Sequence, residues 1–161
     1  MDNKFLCIIA GYDDKTEQLL ADLQNNLYAH GFIGEHTKNL PQHITLGTFE
    51  ITKEVEMINL VKEVASNTKS FSISFNHVGV FGGSKVLFIA PDPNKALLDL
   101  KENFGESFSW TPHTTMLIDQ PEIIYEALPI LLEDFRSFVG RVEYLHLYEF
   151  WPTRHIGTYK L

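Results

Sequence analysis

Apolar and polar positions divide the chain into short segments of two periods. Residues 5–12 form a run rich in bulky apolar side chains, which reads as a strand. Asp14, with Glu17 three positions on, resembles a capping box, and Leu19, Leu20, Leu23 and Leu27 continue as a helical stripe that Gly31 or Gly34 can end. Residues 42–50 form a second strand. Thr52 is placed to cap a second helix with Val55, Ile58, Val61 and Ala65 on one face. Phe71, Ile73 and Phe75 then alternate with Ser72, Ser74 and Asn76, a half-buried strand. Near His77 the parity shifts to Val78 and Val80, which predicts a bulge. Gly82-Gly83 reads as a hairpin turn into a strand at 85–90.

Asp92-Pro93 is expected to be the cap and first residue of a helix carrying Ala96, Leu97, Leu100 and Phe104, with Gly105 at its end. Residues 112–118 form another strand. Pro121 opens a fourth helical segment, which Pro129 should kink or split. A long strand at 141–150 leads through Trp151-Pro152 to a last strand near 156–161. Each half of this series holds a short polar-patterned strand and two helices, which suggests a structural duplication. The hairpins favour an α+β fold with largely antiparallel sheets. At 161 residues the chain is read as one domain, 1–161.

Charge narrows the function. The formal net charge is −8, so no extensive nucleic-acid surface is expected, although a small anion could enter a locally positive cleft. The single cysteine, Cys7, excludes an internal disulfide and fits a reducing, cytoplasmic setting. It reads as a small buried hydrophobe rather than a nucleophile. The opening apolar run is too short and poorly flanked for a signal peptide, and no membrane association is expected.

The candidate chemistry lies in a repeated tetrapeptide, His43-Ile44-Thr45-Leu46 and His113-Thr114-Thr115-Met116. Strand side chains alternate between faces, so His43 projects with Thr45 while Ile44 and Leu46 turn to the core. In the second copy His113 goes with Thr115, and Thr114 with Met116. Histidine titrates near neutrality, so two imidazoles on opposite sides of one phosphorus could divide proton removal from proton donation. Threonine hydroxyls could donate to the nonbridging oxygens. One such motif alone would be an ordinary strand histidine; two in matched settings favour a joint site. A metal site is the competing reading, but no His-x-x-x-His helix, cysteine pair or acidic third ligand accompanies the motifs, so no metal and no cofactor is expected.

Together, Leu40-Pro41-Gln42-His43-Ile44-Thr45-Leu46 and Thr111-Pro112-His113-Thr114-Thr115-Met116 resemble the paired signatures of the 2H phosphoesterase superfamily, within it the 2′–5′ RNA ligase-like / cyclic phosphodiesterase family. The order of elements and the closing Leu147-Tyr148 and Gly157-Thr158-Tyr159-Lys160-Leu161 are similar too. The resemblance implies a bilobal, pseudo-two-fold α+β fold, two largely antiparallel sheets flanked by helices, with both motif strands at the floor of a central cleft. It implies metal-independent hydrolysis of a 2′,3′-cyclic phosphodiester, on a small nucleotide or an RNA end. His43 and His113 would be the acid–base pair, His43 donating and His113 accepting, and Thr45 and Thr115 would bind phosphate. The second motif continues as Met116-Leu117-Ile118, without the arginine that often follows in the family, which points away from long RNA. The alternatives are a nucleotide-binding module with little turnover and an RNA end-joining enzyme. Lys85 and Arg154 are possible cleft cations, and Tyr148, Trp110 and Phe81 possible stacking surfaces. His30 and His36 are expected at the surface, and His77 and His146 as satisfied strand residues. Oligomeric state is left open.

Overall fold

Strand β1 (Phe5–Tyr12) sits inside an antiparallel sheet, flanked by β2 (His43–Glu50) and β6 (Phe138–Phe150). The computed structural model describes all residues except Met1, Asp2, His36, Lys38 and Ser84. His36 therefore lies outside the described residues, while Gly82 and Gly83 form the expected turn. Helix α1 (Asp14–Ala29) follows β1. After β2, a 3-10 turn (Ile51–Lys53) leads to α2 (Glu54–Asn67) and the hairpin of β3 (Phe71–Val80) and β4 (Val86–Pro91). Then come α3 (Lys95–Glu102), β5 (Thr114–Ile118), α4 (Pro121–Asp134), β6 and β7 (Arg154–Lys160).

The strands hydrogen-bond in the order β2-β1-β6-β3-β4-β5, with β7 also on β6, as a seven-stranded sheet. The two antiparallel wings share the long β6. Its first residues, Phe138–Val142, pair with β3, and its remainder pairs with β1 and β7. The α+β, bilobal expectation is met, with β6 joining both wings into one hydrogen-bonded sheet. The hydrogen-bonded path runs from β2 to β5, yet these end strands touch each other, so the sheet folds round until its two motif strands meet.

Parity along β1 explains how the sheet is covered. Leu6, Ile8, Ala10 and Tyr12 enter the main core, together with Leu20 and Leu27 of α1 and Met57, Val61, Val64 and Ala65 of α2. Cys7 and Ile9 face the other way and pack with Tyr148 and Phe150, against Phe5 and Leu40. This second face is the one that carries His43 and Thr45.

Several local expectations are corrected. Asp13, not Asp14, caps α1, its Oδ1 accepting from the N–H of Thr16 at 3.0 Å. Leu19 is exposed, because the stripe toward the core is Leu20 and Leu27. Thr52 falls in the 3-10 turn, and Val55 is 72% exposed while Met57 and Val64 take the core face of α2. Asn94, not Asp92, caps α3 by accepting from Leu97 N–H at 2.9 Å. The bulge expected near His77 is present, between Phe75 and His77. Pro129 neither splits nor ends α4. An interior proline costs about 3 kcal/mol, but Ile124, Ala127 and Leu131 are fully buried on one face, each stabilising by about 1.5–3 kcal/mol for a large side chain and less for alanine.

Candidate active site

The two motifs are seated in the same way. The Nδ1–H of His43 donates to the carbonyl of Pro41 at 2.8 Å, and the Nδ1–H of His113 donates to the carbonyl of Thr111, also at 2.8 Å. A carbonyl can only accept, so each Nδ1 carries a proton and each Nε2 is the nitrogen left for chemistry. The acceptor is two residues before the histidine in both, but the prolines differ in place: Pro41 is itself the acceptor, whereas Pro112 follows the acceptor Thr111 and holds it extended.

The motifs are also fastened to each other. Thr114, 1% exposed, donates from Oγ1 to the carbonyl of His43 at 3.0 Å. Its oxygen in turn accepts from the buried hydroxyl of Tyr12 at 2.6 Å. Helix α1 adds a second tie. Gln24 Oε1 accepts from Gln42 Nε2 at 2.6 Å, and Gln24 Nε2 donates to the carbonyl of Met116 at 3.1 Å. Glu17 accepts the backbone N–H of Gln42 at 3.0 Å. One helix thus holds the residue before His43 and the strand after His113. Gln24 escaped sequence reading because its role depends on both strands already being in place.

A cleft of about 600 Å³ opens beside the motifs. Its walls include His43, Thr45 and Thr115, with Leu40, Phe150 and Trp151 supplying apolar surface. His113 is outside that lining. Its ring packs edge-on against Phe81, centroids 4.8 Å apart, and against Phe88 at 5.3 Å. His43 nevertheless senses its charge. Burial holds the His43 pKa below the usual histidine value, the Pro41 carbonyl opposes this, and charge on His113 lowers it further. Thr45 hydrogen-bonds the thiol of Cys7, which burial pushes up to about 11 despite that bond. Cys7 is therefore a neutral thiol at pH 7, as its apolar setting suggested.

The other candidates are dispersed. Phe81 buttresses His113. Trp110 lies under Lys101, whose Nζ is 5.6 Å from the ring centre, in a separate groove lined by Glu102 and Phe108. Arg154 is held by Glu54 at 2.6 Å and Glu149 at 3.0 Å. Those pairs raise its pKa still further and engage its guanidinium on the exposed side of β7. Lys85 is exposed at the turn into β4, and its carbonyl accepts from Asp119 N–H at 2.9 Å. Tyr148 lies on the cleft face of β6, stacked on Phe150 at 5.8 Å. Among the described residues, no group of three His, Cys, Asp or Glu side chains could hold a metal ion, and no helix is long and apolar enough to cross a membrane.

His146 is the residue that sequence reading set aside. Like His113 it is outside the cleft lining, but strand register puts it on the same sheet face as Thr45, and a Cβ built on Gly11 would collide with its Nε2. Gly11 is the β1 partner of His43.

A two-winged sheet that brings paired His-x-Thr strands together defines a 2H phosphoesterase. The chain belongs to the 2′-5′ RNA ligase superfamily, whose profile matches residues 12–150. Its fold is similar to that of apo E. coli LigT, with a TM-score of 0.65 and 15% identity over 98% of this chain and 97% of that one. It is also similar to E. coli LigT complexed with ATP, with a TM-score of 0.64 and 16% identity over the same shares. TT0787 of Thermus thermophilus gives a TM-score of 0.67 at 14% identity, covering 98% of this chain and 97% of that one. Comparison with curated protein sequences finds no match.

Proposed function

We propose that this chain is a metal-independent cyclic phosphodiesterase that opens a 2′,3′-cyclic phosphate on a small nucleotide or an RNA end. The observation that carries the reading is the matched seating of His43 and His113, each with Nδ1 tied to a carbonyl and Nε2 without a hydrogen-bond partner among the described residues. In the proposed step, His113 Nε2 takes a proton from water as its oxygen bonds to phosphorus. The bond from phosphorus to one ribose oxygen breaks, and that oxygen takes the proton from His43 Nε2. A phosphomonoester remains. Thr45 and Thr115 donate to the nonbridging oxygens, where charge gathers. The Pro41 carbonyl steadies His43 in its protonated form.

The whole of 1–161 would act as one domain, its wings contributing one motif each. A cytoplasmic location suits the free, buried thiol of Cys7. A small nucleotide suits the size of the cleft, and E. coli LigT has been crystallised with ATP, NADP+ and 3′-AMP. End-joining of RNA is the less favoured activity, since a net charge of −8 opposes binding along a nucleic-acid backbone.

Turnover of 2′,3′-cyclic mononucleotides in EDTA tests this. The wild type should release a monoester, and His43→Ala and His113→Ala should each lose about 10²–10⁴-fold. Binding without turnover would leave a nucleotide-binding module, and activity abolished by EDTA and restored by a divalent ion would refute the metal-free step.

A further inference from the structure

The cleft face of the first wing carries more hydrogen-bonding chemistry than the motifs use. Strand register sets His43, Gly11 and Tyr144 in one row across β2, β1 and β6. The next row holds Thr45, Ile9, His146 and, on β7, Thr158. His146 leaves its own row. Its ring leans over Gly11, the one position on that face of β1 with no side chain to obstruct it. Neighbouring strands lie about 4.8 Å apart, so Nε2 of His146 stands one strand spacing from the backbone of His43.

We propose that His146 is a substrate-contacting residue of this cleft, presenting Nε2 beside His43 to an uncharged hydroxyl of the substrate. This rests on the phosphodiesterase reading above and assigns that site a further group. The far side of the ring is fixed: Nδ1 lies 2.8 Å from Thr158 Oγ1, and the same oxygen lies 2.8 Å from His155 Nε2. A hydroxyl has one proton, so Thr158 donates to one ring and accepts from the other. His146 therefore meets the cleft either as an Nε2–H donor or as an Nε2 acceptor, and a hydroxyl complements both. Nε2 has no hydrogen-bond partner among the described residues.

Charge separates a hydroxyl from the phosphate as the partner. Burial, then the neighbouring His155 and His43, lower the His146 pKa to about 4. At neutral pH the ring is uncharged and cannot act as a phosphate counter-ion. The 2′,3′-cyclic nucleotide has such a hydroxyl on its ribose, outside the reacting phosphate. His146, Thr158 and His155 thus form a specificity contact on the His43 side of the cleft.

The test is steady-state turnover of 2′,3′-cyclic AMP by the full chain, with calorimetric binding of 3′-AMP and of inorganic phosphate. His146→Leu should raise KM about tenfold with kcat little changed, as loss of one uniform hydrogen bond requires. It should weaken 3′-AMP by a similar factor and leave phosphate binding unchanged. Gly11→Ala, which displaces the ring while keeping the imidazole, should reproduce this and serves if His146→Leu does not fold. His146→Gln, whose amide can occupy the Nε2 position, should recover most of the affinity. Unchanged KM and 3′-AMP affinity in both His146→Leu and Gly11→Ala would overturn the proposal, and so would an equal loss for phosphate. A wild type that binds 3′-AMP without turning over cyclic AMP would refute the phosphodiesterase reading alone, and the binding arm would still decide His146. A wild type that binds no 3′-AMP and turns over no cyclic AMP would refute both.

Discussion

Thr114 hangs the second motif on the first, its hydroxyl donating to the carbonyl of His43 at 3.0 Å. The proton on Thr114 is thereby committed, so Tyr12 must donate to Thr114 rather than accept from it. Thr114→Val keeps the shape but strands a buried phenol and a buried carbonyl. The expected loss is about 1–3 kcal/mol of unfolding free energy, measured in urea. Turnover should fall further than stability alone accounts for, because the register between His43 and His113 is loosened. Thr114→Ser should retain most of both. A valine variant as stable and as active as the wild type would show that the strap does not hold the motifs.

The pH–rate profile follows from the environment of His43. A donor must hold its proton, and burial with the charge on His113 lowers the His43 pKa below 6.5. The kcat/KM should therefore decline as pH rises through a value below 6.5, giving an optimum on the acid side of neutrality. Charge on His43 is in turn felt by His146 across Gly11, and Tyr144 lies in the His43 row on β6. Should His43 instead govern the acid limb, the donor and acceptor roles are exchanged.

Stability should also depend on pH through His146. Its folded pKa of about 4 lies below the ordinary 6.5, so between these values the unfolded chain binds more protons. Stability is then fully present above pH 6.5, falls with acidification through that window, and levels off below about 4. His43 contributes with the same sign, and His155, Tyr144 and Tyr148 are the other titratable groups around the ring. Melting temperatures from pH 7 to 4 should fall less steeply in His146→Leu than in the wild type. Parallel curves would mean that His146 titrates as an unperturbed surface histidine.

What could be read from the sequence was local. Period-two spacing put His43 with Thr45 and Thr114 with Met116, and the structure buries Ile44, Leu46, Thr114 and Met116 accordingly. The bulge at His77 and the paired motif strands follow from the same rule. Pro121 opens α4 as expected, but the starts of α1 and α3 were misplaced by one and two residues, because Asp13-Asp14 and Asp92-Pro93-Asn94 offer competing caps that only the fold chooses between. His146 was hidden for a different reason. Its position depends on the β1–β6 register, on the missing side chain of Gly11, and on Thr158 from another strand. Arg154 looked available until the fold brought Glu54, a hundred positions away in sequence, onto it.

Gly79 governs the seat of His113. A Cβ there would collide with the ring of Phe88, which is packed between Phe81 and His113. Phe88 is 6% exposed and has little room to turn away. Gly79→Ala should thus destabilise by about 1–3 kcal/mol through overpacking and push the imidazole from its place. The decisive reading is kcat, expected to fall about tenfold or more, since small misplacements of reacting groups are expensive in rate. Restoration of kcat by adding Phe88→Leu would assign the effect to that ring. A drop that the second change leaves untouched would point elsewhere in the hairpin.

Salt dependence bears on the size of the substrate. Arg154 is engaged by Glu54 and Glu149, and β5 ends in Met116-Leu117-Ile118 without a cation. Lys101 is turned onto Trp110, in a groove separate from the motifs. The chain carries a net charge of −8. A protein that tracks a single strand loses affinity with salt at a slope near −0.7 for each phosphate neutralised. With one reacting phosphate and few cations directed at others, KM should follow a shallow slope of about one or two contacts. A cyclic mononucleotide should then be processed about as well as the same end on an oligonucleotide. If a long RNA were turned over about a hundredfold better, with a steep slope, a second anionic track would have to exist. That result would overturn the small-substrate reading and leave the roles of His43 and His113 intact.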